Sequence, residues 1–268
     1  MTDARPDPAT HVPPGPVPSS EQGRRLLDLI KVMARLRAPG GCPWDREQTH
    51  GTLARHLLEE THELLDAIDG GDSDAIRDEL GDLLLQVVFH AQIAADGGYW
   101  DVDDVARRLI EKLVHRHPHV FGDVEVSGAG EVLTNWEKLK AEETGSRGGA
   151  DEDIPSTLPA LARAAKVQRR AAGWGAEWPT ASAAIEALEA DAAALDADGS
   201  EDAEERIGEL LFAAVAAARK LDVDAETALR QATRGFAERF ERLMAEADGE
   251  SGAALSEEAV RRLFDRMP

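Results

Sequence analysis

The chain of 268 residues has a single cysteine, Cys42, and a single tyrosine, Tyr99. One cysteine rules out an intramolecular disulfide and fits a reducing compartment. Aromatic residues make up only 4%, and Val, Ile and Thr are sparse beside Ala, Leu, Glu and Arg. That balance excludes a sheet-rich core and favours helices throughout. Long apolar runs are missing too. The longest, "LLFAAVAAA" from Leu210, is far too short to cross a bilayer. The N-terminus, "MTDARPDPATHVPPGPVPSS", has no apolar signal core, so a cytoplasmic protein that engages no membrane is expected. Basic residues are outnumbered, with 30 Lys and Arg against 52 Asp and Glu, for a formal net charge of -22. Such a surface repels polymeric nucleic acid. A small nucleotide escorted by a divalent cation stays admissible, because the metal reverses the local sign.

What is present is helical pattern and acid. Residues 1–20 are Pro-rich and aperiodic, and are read as a disordered lead-in. The weak stretch at 146–153 reads as a linker between a domain over 21–145 and a second over 154–247, with a tail and short helix at 248–268. In the first part the periodicity predicts helices near 21–37, 49–68, 74–95, 101–117 and 130–143, separated by "APGGCPWD", "DGGDSD", "DGG" and Pro118. The parts resemble each other: "ELGDLLLQVVFHA" from Glu79 aligns with "RIGELLFAAVAAA" from Arg206. The expected fold is all-α, two tandem helical bundles built from one duplicated unit.

The chemistry concentrates between His56 and Gln92. Glu59, Glu60 and Glu63 share a stripe of one helix, and Glu79 and Asp82 share a stripe of the next. An antiparallel hairpin pivoting on Gly71 sets Glu63 level with Glu79 and Glu60 level with Asp82. Leu57, Leu64, Leu80, Leu83 and Leu84 are expected to pack around them. Four carboxylates with no Lys or Arg among them repel unless a cation joins them, and oxygen-only ligands favour Mg²⁺ or Mn²⁺. A di-iron site would need a second Glu-x-x-His to match Glu59-x-x-His62, and the partner helix offers Glu79-x-x-Asp82 instead. Trp44 can stack on a base or close the core. His117 and His119 lack further zinc ligands and read as helix caps.

Glu59-Glu60-x-x-Glu63 followed by Glu79-x-x-Asp82 resembles the signature of the MazG family of nucleoside triphosphate pyrophosphohydrolases. "GGCPWDREQTH", "RHPHVFGDVEV", "NWEKLKAEE" and "DIPSTLPALARAAKVQRRAA" follow in the family's order, so the likeness spans about residues 22–245. It implies an all-α homodimer that hydrolyses nucleoside triphosphates to monophosphate and pyrophosphate with Mg²⁺, clearing aberrant or excess nucleotides. It implies that Glu60, Glu63, Glu79 and Asp82 hold the metal and that Lys112 and Arg116 bind phosphate; Glu59, beside the metal ligands, is the candidate to orient or deprotonate water. In the second copy the first three acidic positions become Ala190, Asp191 and Ala194, the next two become Arg206 and Glu209, and the lysine position becomes Gly235, although Arg239 remains. Catalysis is therefore expected in the first copy alone. The alternative is a helical interaction protein that kept the fold without activity.

Overall fold

The computed structural model describes residues 23–128, 130–132, 135–136, 139, 151, 154–195, 202–246 and 261. The expected lead-in, most of the linker and nearly all of the C-terminal helix lie outside these residues, as does much of the helix expected over 130–143. The described residues form helices and no strand. The chain divides into two compact units, Met1–Ser146 and Arg147–Pro268.

In the first unit, α1 (Arg24–Arg37) runs into a tight connection and then into α2 (Pro43–Glu47), a short helix the sequence pattern did not reveal. Pro43 sits at its first turn, where a missing N–H costs nothing. Helix α3 (His50–Gly70) starts at Thr49, whose hydroxyl accepts from the Thr52 amide while the Thr52 hydroxyl accepts from the Thr49 amide. It ends at Gly71, with φ 71°. Asp72 then caps α4 (Ser73–Asp96), accepting from the amides of Asp74 and Ala75. A break this short forces α3 and α4 into an antiparallel hairpin. Asp101 opens α5 (Val102–Arg116), and α6 (Pro118–Phe121) follows.

The core of this unit sits toward the open end of the hairpin. Met33, Leu53, Val88 and Phe89 are buried there, with Leu29, Ile30, Leu36, Leu85 and Ile93 packed around them. Arg37 locks that end. Its side chain is 8% exposed, its Nε donates to Asp96 Oδ2 at 2.6 Å, and its Nη1 donates to the Asp45 and Gln48 carbonyls. Near the turn the expected leucine packing is absent. Leu57, Leu80 and Leu84 are exposed, and only Leu64 and Leu83 are half-buried. The reason is geometric: α1 covers the hairpin beside the core, and among the described residues nothing comparable covers its turn end.

Two glycines carry the connections, for different reasons. A Cβ at Gly71 would meet nothing within 4 Å, so Gly71→Ala costs only the left-handed backbone, about 1–2 kcal/mol. A Cβ at Gly41 would lie 2.0 Å from the Leu36 carbonyl oxygen. Gly41→Ala must displace backbone, and in denaturant unfolding it is expected to cost clearly more than Gly71→Ala.

The second unit contains α7 (Ala160–Ala172), α8 (Ala181–Ala193), α9 (Ala203–Lys220) and α10 (Ala225–Glu246). Its α8–α9 pair shares positions with the α3–α4 hairpin. Thr180 caps α8 as Thr49 caps α3, and the residue four further on is buried in both, Leu53 and Ala184. Setting Arg206 against Glu79, Gln86, Val88 and Phe89 fall opposite Ala213, Val215 and Ala216, all of them buried. The second core is leaner in side-chain volume, with alanine opposite Leu53, Gln86 and Phe89.

A candidate metal centre in the first helical hairpin

The α3–α4 hairpin brings Glu60, Glu79 and Asp82 together. One carboxylate oxygen from each lies within 4.8 Å of the other two. Glu60 and Glu79 are half-buried, and Asp82 is exposed. Burial raises the Glu60 carboxyl above its ordinary 4.5, and the charges of Asp82, Glu63, Glu79 and Glu59 raise it further. Glu79 is likewise raised, by burial and then by Glu63, Asp82 and Asp78. The carboxylate acting most on Glu60 is thus Asp82, and on Glu79 it is Glu63, the same opposition that the hairpin dictates. Glu63 itself is exposed and stands outside the three-oxygen cluster.

Among the described residues no basic group pairs with Glu60, Glu63, Glu79 or Asp82. Arg77, the nearest in sequence, is engaged by Asp74 at 2.8 Å and Asp78 at 3.1 Å. Glu79 Oε2 is buried without any hydrogen-bond partner. A sheltered carboxylate oxygen with neither donor nor counter-charge is costly, and a hard divalent cation with oxygen ligands would satisfy it. The cluster contains no histidine, and His62 is exposed, so a Glu/His di-iron arrangement is not assembled.

The remaining sequence-derived candidates are spread over three helices. Glu59 is exposed, with Oε2 3.3 Å from His56 Nδ1. Trp44 is neither core nor free: it is 51% exposed and meets the edges of His56 and Phe89, at centroid distances of 6.1 and 6.5 Å. Lys112 is exposed on α5 and lines a cavity of about 1180 Å³ with Tyr99, Trp100, Arg107, Arg108 and His115. None of the clustered acids lines that cavity. Arg116, one turn beyond Lys112, is buried, and its guanidinium lies 5.1 Å from the Trp136 ring centre. The two cations therefore differ in setting, although they share a helix face.

His117 and His119 have ring centres 5.6 Å apart, and His117 Nδ1 lies 2.6 Å from the Leu113 carbonyl, as a helix cap would. The sequence reading missed the pair His50 and His90. Their rings stack at 5.0 Å with Nδ1 atoms 2.7 Å apart, and burial followed by His50 lowers the His90 pKa. Forty residues separate them, so no local spacing announces the contact.

In the second unit a cavity of about 570 Å³ is lined by Trp178, Asp191, Glu205, Glu209 and Phe212. No cluster of three ligating groups is found among the described residues there. Arg206, set opposite Glu79, donates from Nη1 to the Ala194 carbonyl at 3.1 Å.

A helical hairpin that gathers carboxylate oxygens and supplies no counter-charge defines a helical protein suited to a divalent cation. Residues 48–121, which contain the whole hairpin, match the MazG nucleotide pyrophosphohydrolase domain. The nucleoside triphosphate pyrophosphohydrolase/pyrophosphatase MazG of Thermotoga maritima is 42% identical over 91% of this chain and 94% of its own length. The nucleoside triphosphate pyrophosphohydrolase of Escherichia coli is 45% identical, covering 79% of this chain and 84% of its own. That of Mycobacterium tuberculosis is 48% identical over 58% of this chain and 47% of its own. The chain belongs to the MazG family. No helix among the described residues is long and apolar enough to cross a membrane.

Proposed function

We propose that this chain is a cytoplasmic nucleoside triphosphate pyrophosphohydrolase whose reaction takes place in the first unit. The observation that carries this reading is the orphaned, sheltered Glu79 Oε2 inside a carboxylate cluster that has no counter-charge among the described residues. Family membership supports the substrate and the reaction. Glu60, Glu79 and Asp82, with Glu63 beside them, would hold Mg²⁺, with Mn²⁺ as a substitute. The ion, when bound, supplies positive charge to phosphate oxygens and offsets the acids.

The chain's own residues do the rest. Glu59 takes a proton from the attacking water as the water O–H bond breaks. The new oxygen bond forms at the α-phosphorus while the bond to pyrophosphate breaks, its electron pair leaving with the pyrophosphate. Lys112 offers a point charge to the triphosphate, and Arg116 a guanidinium held by Trp136. Trp44, half exposed, would stack on the base. The reading places the products as monophosphate and pyrophosphate, and the role as removal of aberrant or excess nucleotides.

The second unit is proposed as a duplicated, degenerate copy. Its matching cap and buried positions support the duplication, and the loss of acids supports the degeneracy. A homodimer is proposed as well. Leu58, Leu80, Leu84 and Val87 are exposed on the hairpin of a single chain, and a second copy would cover them. The test is release of pyrophosphate from mixed nucleoside triphosphates. Release with Mg²⁺ and none with chelator is expected. Equal release by wild type, Glu60→Ala and Asp82→Ala would replace the enzyme reading with that of a non-catalytic helical protein.

A further inference from the structure

His56 lies three residues before Glu59 on α3, so the two share a helix face. Its ring is fixed from two sides. Trp44, carried by α2, meets it edge-on at 69° between ring planes, and Trp44 in turn rests against the buried Phe89. Arg55 Nε donates to His56 Nε2 at 3.3 Å. A ring nitrogen that accepts a hydrogen bond carries no proton, so the neutral ring bears its hydrogen on Nδ1. Nδ1 is the atom that lies 3.3 Å from Glu59 Oε2. The His56 side chain is 27% exposed and that of Glu59 66%, so the ring is the more sheltered partner and the carboxylate the freer one.

From this arrangement we infer that His56 is a positioning residue for the reaction, holding Glu59 Oε2 through Nδ1–H so that Oε1 is turned to the attacking water. The inference rests on the reading of Glu59 as the base. An exposed glutamate side chain samples several rotamers, and only some of them aim an oxygen at a given point. Tying one oxygen to a ring that is itself packed leaves the other with fewer orientations, which raises the fraction of productive complexes rather than their affinity. In the free chain the two atoms lie at ion-pair distance without a formed hydrogen bond, and on this inference they close into one when substrate binds, as catalytic hydrogen bonds often do. Trp44 gains a second part here. By packing on the ring it holds the residue that holds the base.

The test compares His56→Phe and His56→Asn in the full chain with Mg²⁺ and a nucleoside triphosphate. Phenylalanine keeps the edge contact with Trp44 and removes both nitrogens. Asparagine restores an N–H where Nδ1 stood. His56→Phe is expected to lower kcat about tenfold, the size typical for losing the partner that orients a reacting group, with KM within about twofold. His56→Asn is expected to recover most of that loss. In a Glu59→Gln background His56→Phe should cost nothing further, because the group it positions is already disabled. Unchanged kcat in His56→Phe, or His56→Asn no better than His56→Phe, overturns the positioning role. Full turnover by Glu59→Gln alone would overturn the base assignment, and the inference with it. Loss in Glu59→Gln with none in His56→Phe overturns the inference only.

Discussion

Glu79→Gln is expected to abolish pyrophosphate release, by at least about 100-fold in kcat, while raising the melting temperature of the metal-free protein. The two effects share one origin. Glu79 places a buried oxygen among three other acids, and among the described residues none of them has a basic partner. As an amide the side chain keeps its shape and loses its charge, so the repulsion falls and the sheltered oxygen becomes cheaper to bury. What is lost is an anionic ligand for the proposed cation. Activity and stability therefore move in opposite directions at this position, as expected where function depends on strained charge.

The pH dependence gives the sign. Burial and neighbouring acids raise the folded-state values of Glu60 and Glu79 above the ordinary 4.5, so the folded chain binds these protons more tightly than the unfolded chain. Their contribution to stability is fully present below the unfolded value and is lost as pH rises through the folded one. Carboxylates elsewhere act oppositely. A hydrogen bond from Lys220 lowers Glu177, and the Thr227 amide lowers Asp224. The informative quantity is thus the difference between Glu79→Gln and wild type. In chelator it should be negligible near pH 4, favour the variant more as pH rises to 7, and reverse when Mg²⁺ is added, since only the wild type gains binding energy. A variant less stable than wild type in chelator at pH 7 would remove the repulsion argument.

The all-helical fold and the hairpin were legible because both depend on local signals. Gly71 and Asp72 stop and restart the helix in sequence, and the spacing of the acids needs only the helical repeat. What escaped the sequence depends on contacts between distant segments. The His50 and His90 stack, the clamp of Arg37 on Asp96, and Trp136 beneath Arg116 each join residues with no periodic relation. Leu57, Leu80 and Leu84 illustrate the converse. Their apolar character shows that something should cover them, but not which surface does, and within one chain the core forms elsewhere on the hairpin. Glu63 belongs to the acidic stripe by spacing yet stays outside the three-oxygen cluster, because side-chain direction is set by packing as well as by register.

The second unit supplies an internal control for the catalytic assignment. Under the proposed duplication Glu209 falls opposite Asp82 and Asp191 opposite Glu60, and both line a cavity beside Trp178. Position for position the two sites differ in charge, since Arg206 stands opposite Glu79 and Ala194 opposite Glu63. Arg206 is fastened to the Ala194 carbonyl, so a guanidinium occupies the helix face that would otherwise present a ligand. Two carboxylates beside a fixed cation attract a divalent ion far less than four without one. Asp82→Asn in the full chain should accordingly lose at least about 100-fold in kcat, whereas the double variant Asp191→Asn and Glu209→Gln should stay within about twofold of wild type. Comparable losses in the two variants would mean that the second unit takes part in turnover. Loss confined to the double variant would move the reaction there. Under the assignment made here, Arg206→Glu restores one acid and removes the cation, yet leaves turnover unchanged, because Ala190 and Ala194 still provide neither a base nor the remaining ligand.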